Sequence, residues 1–235
     1  MPEACAVIIP AWNEALTIGP LVHRARAQVV AVLVVDDGST DATAQLAREA
    51  GALVWSHPGN LGKGAALRTG LNQARKLDFR WAITLDADGQ HAPEEIPAFL
   101  ACAGATGCAL VVGNRMAAAA QMPWLRRAAN RWMSRQLSRR AGRVLPDSQC
   151  GFRLLRLDAW ARLPLHTEHF EVESETLLAF LASGHRVEFV PVAVLPSPRP
   201  SRIRLLADTL RWFRWWRQAP RPVVLPDAQP GLASP

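Results

Sequence analysis

The stretch AITLDADGQH, Ala82–His91, begins as a buried strand and ends in charge. After the apolar start come two carboxylates, Asp86 and Asp88, separated by one alanine. Carboxylates at the end of a buried strand repel each other and lose hydration. A cation between them removes both penalties. Asp86, Asp88 and Gln90 stand at alternate positions and can direct three oxygens at one point. Hard divalent cations such as Mg2+ or Mn2+ take such oxygens and keep positions open for phosphate. The rival reading is a solvated acidic turn with His91 beside it. The apolar strand in front, and a second acidic stretch described next, favour the cation.

Outward from this stretch, short β-rich runs alternate with helical patterns. The runs are CAVIIP (5–10), VAVLVVDD (30–37), ALVWSH (52–57), WAITLDA (81–87) and CALVVGNR (108–115). Between them lie helices at 14–27, 40–51, 62–77 and 93–103. Gly19-Pro20 interrupts the first, Thr40 or Asp41 caps the second, Gly51 stops it, and Pro93 opens the fourth. Apolar strands alternating with helices predict an α/β fold with a mostly parallel sheet covered on both faces. Ligands of such sheets bind outside the carboxyl ends of the strands. Three of those ends are polar: AWNE after the first strand, DDGSTD after the second, DADGQH after the fourth.

The character changes near residue 117. An arginine-rich helix is expected over 123–142, then a loop leading into a short irregular segment over 147–164, a helix over 170–184 and a strand over 185–196. A loop at 196–202, a last helix over 203–218 and a Pro-rich flexible tail over 219–235 complete the chain. The first half alone would leave its sheet edge uncovered, so 1–218 reads as one domain. Residues 1–116 form its first half, 117–200 its second and 201–218 an amphipathic Trp/Arg helix. At ~100° per residue, Ile203, Leu206, Leu210 and Phe213 share a side, flanked by Leu205, Trp212 and Trp216. Trp and Arg at this density suit either a headgroup-level membrane helix or an ordinary packed terminal helix.

The formal charge of +7 fits an anionic partner such as nucleotide, phosphate or anionic lipid. Nucleic acid has only this electrostatic argument and no motif, so no nucleic-acid partner is expected. Cys5, Cys102, Cys108 and Cys150 form no CxxC pair and read as buried or free thiols in a reducing cytosol. The N-terminus lacks a basic n-region, and no ~18-residue apolar window occurs. The expected location is therefore cytoplasmic, with any membrane contact peripheral.

Several residues besides the acid pair carry chemistry. Asp36 and Asp37 end the second strand before a Gly38 turn, where a carboxylate can accept from a base or ribose; the alternative is helix capping. Trp12 offers an aromatic face for a base, or is core, and Asn13 and Glu14 offer polar groups. Lys63 and Arg68, in NLGKGAALRTG, either contact phosphate or face solvent. The chain has neither GxxxxGK[ST] nor GxGxxG after a strand, which argues against a Walker-type ATPase and against NAD binding.

In order, VIIPAWNE, VVDDGSTDAT, NLGKGAALRTG, LDADGQH, VGNR, DSQCGFRLLR and HRVEFVPV resemble family-2 glycosyltransferases of the GT-A (Rossmann-like) fold, over roughly residues 5–210. The branch they resemble most is that of the dolichyl-phosphate mannosyltransferases and polyprenyl-phosphate glycosyltransferases. The resemblance implies a GDP- or UDP-sugar donor, Mg2+ or Mn2+ on Asp86, Asp88 and Gln90, a lipid-linked acceptor, and transfer with inversion. It aligns Pro10, Asn13 and Glu14 with the first-strand nucleotide motif, and Asp37 with Asp36 with the base- or ribose-binding pair. Arg115 and Arg126 or Arg127 resemble phosphate-holding arginines. Asp147, Gly151, Phe152 and Arg153 match D-x-x-S-G-F-R, with Cys150 for serine. Glu173 matches the acceptor-side F-x-x-E, and Ser201 and Arg202 a basic loop over the donor. Trp12 replaces the usual tyrosine, and the C-terminus shows a short Trp/Arg helix in place of membrane spans.

The expected chemistry is direct displacement at the anomeric carbon, with metal and basic groups stabilising the diphosphate leaving group. A lipid phosphate acceptor is already anionic, and Arg115 and Arg126 would position it. A hydroxyl acceptor needs a base, either Asp147 or Glu173. A sugar nucleotidyltransferase would need a Gly-rich loop where PAWNEA stands. A non-catalytic nucleotide-binding module is opposed by the intact DxDxQ.

Overall fold

A computed structural model describes residues 4–116, 118, 122–169, 171–196 and 205–219. Phe170, Ser201, Arg202, Ile203, Arg204 and the Pro-rich segment from 220 onward lie outside the described residues. The first four strands are β1 (Cys5–Ala11), β2 (Ala31–Asp36), β3 (Leu53–Ser56) and β4 (Trp81–Thr84). Cys5 to Ile9 are wholly buried, as are Leu33 to Val35. A strand apolar on both faces needs cover on both, which parallel βαβ crossovers supply. That cover comes from α1 (Ile18–Arg26), α2 (Thr43–Glu49), α3 (Lys63–Lys76) and α4 (Ile96–Thr106).

Strand β5 (Leu110–Asn114) is followed by α5 (Trp124–Ala141), β6 (Arg153–Arg156), α6 (Leu157–Trp160), α7 (Val172–Ala182), β7 (Val187–Pro191) and α8 (Leu205–Gln218). The sheet order is β3-β2-β1-β4-β6-β5-β7. All neighbours are parallel except β6, which runs antiparallel between β4 and β5. Strands from both halves of the chain thus share one sheet.

Strand β6 corrects the sequence reading, which gave 147–164 as a loop leading to an irregular segment. The run RLLR places Leu154 and Leu155 in the core, and Arg153 is buried too. The Arg153 guanidinium donates to three backbone carbonyls, of Ser148, Cys150 and Glu173. A buried charge satisfied in this way no longer opposes a central strand. Two boundaries also shift. Helix α1 starts at Ile18, so Gly19 and Pro20 fall in its first turn, where proline loses no intrahelical bond. Strand β4 ends at Thr84, which frees 85–88 to form a turn.

Strand order reverses at β1, which has β2 on one side and β4 on the other. A crevice outside the carboxyl ends of the strands at such a point is the usual ligand position of an open α/β sheet. The residues following β1 and β4 face each other there: Thr17 Oγ1 donates to the Ala87 carbonyl at 2.7 Å.

Candidate active site

Asp86 lies two residues past β4, in contact with two basic side chains. Its Oδ1 is 2.5 Å from Lys63 Nζ, and its Oδ2 is 3.5 Å from His91 Nε2. Burial opposes ionisation, but Lys63 and then His91 hold the Asp86 carboxyl well below its ordinary range. Asp88 behaves oppositely: burial and the Asp86 charge push its carboxyl up. Its Oδ1 accepts from the Gln90 backbone at 3.0 Å. Gly151 closes the floor of the site, because an added Cβ there would lie 2.6 Å and 2.7 Å from the two Asp86 oxygens. Phe152 stacks on Phe99 at 4.2 Å and stands 5.3 Å from the His91 ring, fixing that imidazole.

Of the two alternatives its sequence context offered for Lys63, phosphate contact or solvent, its side chain does not face solvent. It opens α3 directly after Gly62, whose φ of +96° turns the chain inward. Its ammonium touches Asp86 and, also at 2.5 Å, Glu173 Oε1 from α7. Burial alone would lower this amine, but the two carboxylates raise it above its ordinary value. The Glu173 contact is an ion pair outside hydrogen-bond geometry, and Glu173 Oε2 is buried with no hydrogen-bond partner among the described residues.

The second cation centre comes from β5 and α5. Arg115 and Asp147 form a buried fork, with Nε to Oδ2 at 2.8 Å and an Nη to Oδ1 at 2.9 Å. The Arg115 backbone and the Gln149 backbone also donate to this carboxylate. Burial opposes both charges, but each overrides it in the other, so Arg115 is raised and Asp147 lowered. Asp147 is wholly buried and fully engaged, which suits orienting Arg115 and not taking a proton. Cys150 is also buried, and burial pushes its thiol up to about 12. Arg126, in the first turn of α5, donates to Gln90 Oε1 at 3.1 Å. Gln90 thus turns its side-chain oxygen towards Arg126, and only its backbone N–H reaches the acid pair. Burial, and then the Arg115 charge, lower Arg126. Its Nε is buried without a hydrogen-bond partner among the described residues.

The nucleotide-side loops are bound to each other. Asn13 takes a left-handed φ of +53° and accepts from the Thr40 backbone at 2.7 Å, while its own N–H donates to Ser39 Oγ. Glu14 is buried, and its backbone donates to Thr43 Oγ1. Pro10 lies in β1 opposite Val35. Trp12 is 42% exposed, so it is not core. Asp36 accepts from Ser39 N within the Gly38 turn, and Asp41 accepts from Thr43 N; the N-cap of α2 is Ala42, without a side-chain cap bond, and not the expected Thr40 or Asp41. Asp37 is buried and accepts from Leu61 N and Gly62 N, and its Oδ1 is 2.7 Å from His57 Nδ1. It anchors the turn that delivers Lys63. Sequence reasoning missed His57, although it directly follows β3 and the strand-end rule applied to the other strands would have found it. Arg202 lies outside the described residues.

A hard divalent cation suits this donor set. Asp86 and Asp88 stand on one turn, and burial together with the Asp86 charge raises the Asp88 carboxyl, a penalty that a cation would relieve. Among the described residues no group of three or more His, Cys, Asp and Glu side chains could hold an ion unaided. The remaining positions would fall to oxygens from elsewhere, such as a diphosphate.

Of the two readings of helix α8, Trp212 follows the packed one: it is 2% exposed, and its Nε1 donates to Ser174 Oγ at 2.8 Å. Trp216 lies under Arg140 at 4.5 Å. Leu210 and Phe213 stay exposed beside Arg214 and Arg217. The outer side of α5 carries Trp124, Leu125, Arg131, Trp132, Arg135 and Arg139, and α5 contains no acidic residue. No helix among the described residues is long and apolar enough to cross a membrane.

Residues 6–163 match the family model for glycosyl transferase family 2. The glycosyltransferase AglJ of Haloferax volcanii is 30% identical over 207 residues, covering 87% of this chain and 67% of that protein. The UDP-N-acetylglucosamine–dolichyl-phosphate N-acetylglucosaminyltransferase of Methanococcus voltae is 28% identical over 212 residues, covering 80% and 84%. Among solved structures, glucosyl-3-phosphoglycerate synthase of Mycobacterium tuberculosis, in complex with Mn2+, UDP and glucosyl-3-phosphoglycerate, superposes with a TM-score of 0.74. It is 23% identical, with 98% of this chain and 83% of that one covered. That likeness shows the fold, a GT-A sheet flanked by helices.

Proposed function

The chain belongs to glycosyl transferase family 2, and from that premise we propose that it moves a sugar, with inversion, from a UDP- or GDP-sugar to the phosphate of a polyprenyl lipid. The observation that carries this reading is the state of the two candidate bases. Asp147 is locked on Arg115, and Glu173 is paired with Lys63. Asp147 is not poised to take a proton from a hydroxyl, and Glu173 is held beside the Lys63 ammonium. A phosphate oxygen is already anionic near neutral pH and needs no base, only positive groups to orient it. Arg126, with its unpartnered buried Nε, and Arg115 behind it fit that need. The dolichyl-phosphate transferase of M. voltae, similar over most of both chains, supports the same acceptor class.

On the donor side, Trp12 offers a face for the base, and Asn13, Glu14 and Asp36 line the crevice beside it. Mg2+ or Mn2+ at Asp86, Asp88 and Gln90 would supply charge for the departing diphosphate. Lys63 keeps Asp86 ionised, His91 steadies its second oxygen, and Gly151 keeps the floor clear of side chains. Arg126 bridges the donor and acceptor sides through Gln90.

The reading includes peripheral contact with the cytoplasmic face of a membrane. The exposed Trp124 and Leu125 adjoin Arg126, so an acceptor rising from a bilayer would meet apolar surface first and the arginine next. Trp and Arg together suit the headgroup region, where each cation gains ~1 kcal/mol near anionic lipid.

The test is transfer of radiolabelled sugar from a panel of UDP- and GDP-sugars into organic-extractable undecaprenyl phosphate, with Mn2+ or EDTA. Product of inverted anomeric configuration, formed only with metal, is expected. Sugar appearing only on water-soluble acceptors would refute the lipid assignment.

A further inference from the structure

The chain has 27 basic side chains, and only Lys63 and Lys76 are lysines. Lys76 is exposed at the far end of α3. The other cations around the site, Arg115, Arg126 and Arg153, are guanidinium groups held by directional hydrogen bonds. Arginine forms rigid planar forks, whereas a lysine is a point charge on a flexible stem with three rotatable donors. A lysine can leave one carboxylate while keeping another. Lys63 has two, Asp86 on the turn after β4 and Glu173 on α7.

We propose that Lys63 is the exchangeable counter-ion of Asp86: it neutralises that carboxylate in the cation-free protein, and a divalent ion arriving at Asp86 and Asp88 displaces its ammonium towards Glu173. The proposal rests on the metal part of the reading above. Two cations sharing one half-buried carboxylate repel at contact distance, where solvent screening is reduced. Glu173 can receive the displaced ammonium, since its Oε2 is buried and has no hydrogen-bond partner among the described residues. The shift is short, because the ammonium already touches both carboxylates.

The exchange would join the two halves of the domain. Glu173 belongs to α7, whose Glu175 holds the backbone of His166 and Thr167. The Glu168 carbonyl in turn accepts from Gly64 N, beside Lys63. Cation loading at the donor side therefore bears on the loop over the Lys63 turn and on the acceptor-side helix. Coupling of this kind is reciprocal, so tightening Lys63 on Glu173 favours the cation.

Two measurements on the full chain without donor test this. With 13C-lysine the protein gives two ε-carbon signals, assigned through Lys76→Gln. The Lys63 signal is expected to move saturably with Mg2+ while the Lys76 signal stays. Mn2+ affinity, read by electron paramagnetic resonance, is then compared with that of Lys63→Met/Glu173→Gln, which preserves the net charge of the cluster. This variant is expected to bind Mn2+ about tenfold more tightly, equivalent to ~1.4 kcal/mol. Glu173→Gln alone confines Lys63 to Asp86 and is expected to weaken binding, which keeps the test decisive should the double variant fail to fold. An unmoved Lys63 signal at saturating Mg2+, or unchanged Mn2+ affinity in these variants, overturns the proposal. Absence of any Mn2+ binding by the wild type, with or without UDP, removes the metal assignment as well, so the two failures are distinguishable.

Discussion

Replacing Gly151 by alanine adds one carbon against Asp86. Gly151 has no positive φ, so alanine suits its backbone and the whole effect is steric. The new methyl would stand 2.6 Å from Oδ1, short of ordinary 3.4 Å contact by 0.8 Å. The backbone cannot retreat: Thr84 Oγ1 donates to the Gly151 carbonyl at 2.6 Å, and Cys150 and Phe152 on either side are wholly buried. The Asp86 carboxylate must therefore swing by most of that 0.8 Å and loosen its contact with Lys63. Overpacking of this kind costs about 1–3 kcal/mol of stability. Misplacing a reacting or ligating group by nearly 1 Å costs on the order of 100-fold in rate. The expected result is a folded protein with a modestly lowered thermal midpoint and a transfer rate lower by about two orders of magnitude. The assay pairs thermal denaturation with single-turnover transfer. A rate within about threefold of wild type would show that the Asp86 position is not critical, and the reasoning would fall.

Asp88→Ala is expected to abolish transfer while leaving stability equal or higher, because it removes a carboxylate whose charge burial and Asp86 already disfavour; a destabilised or active variant contradicts this. Asp147→Asn leaves Arg115 charged and buried, and denaturant titration should show a loss of about 3–5 kcal/mol. The folded Asp147 carboxyl lies below its unfolded value, so its contribution is present above the ordinary carboxylate range and lost as pH falls through the folded value. The variant should accordingly flatten the acid limb of the stability profile, and an unchanged limb would count against the pairing. Trp124→Ser/Leu125→Ser should reduce flotation with anionic vesicles at low salt without shifting the thermal midpoint; equal flotation would discard that surface. Trp212→Ala should cost about 3–5 kcal/mol, as for other buried aromatics, and so reports on packing and not on membrane contact.

The sequence by itself determined the alternating strands and helices, the three polar strand ends and the DxDxQ turn. Each of these is local: strand apolarity, a capping residue or a carboxylate spacing lies within a few residues of chain. Family membership followed from the same short motifs in order. Only tertiary structure decided what each charge faces. Lys63 reads from its neighbours as a phosphate or surface lysine, yet its two partners lie 23 and 110 positions further along the chain. Asp147 reads as a base until Arg115, 32 positions away, closes on it. Arg153 hid a central strand, because the carbonyls that satisfy it come from a loop and from α7. The tryptophans of α8 looked equivalent by helical spacing, and contact with Ser174 buries Trp212 while Phe213 stays outside. A side chain's ionic partner and its depth depend on contacts between distant segments, and one chain read in order carries no record of those.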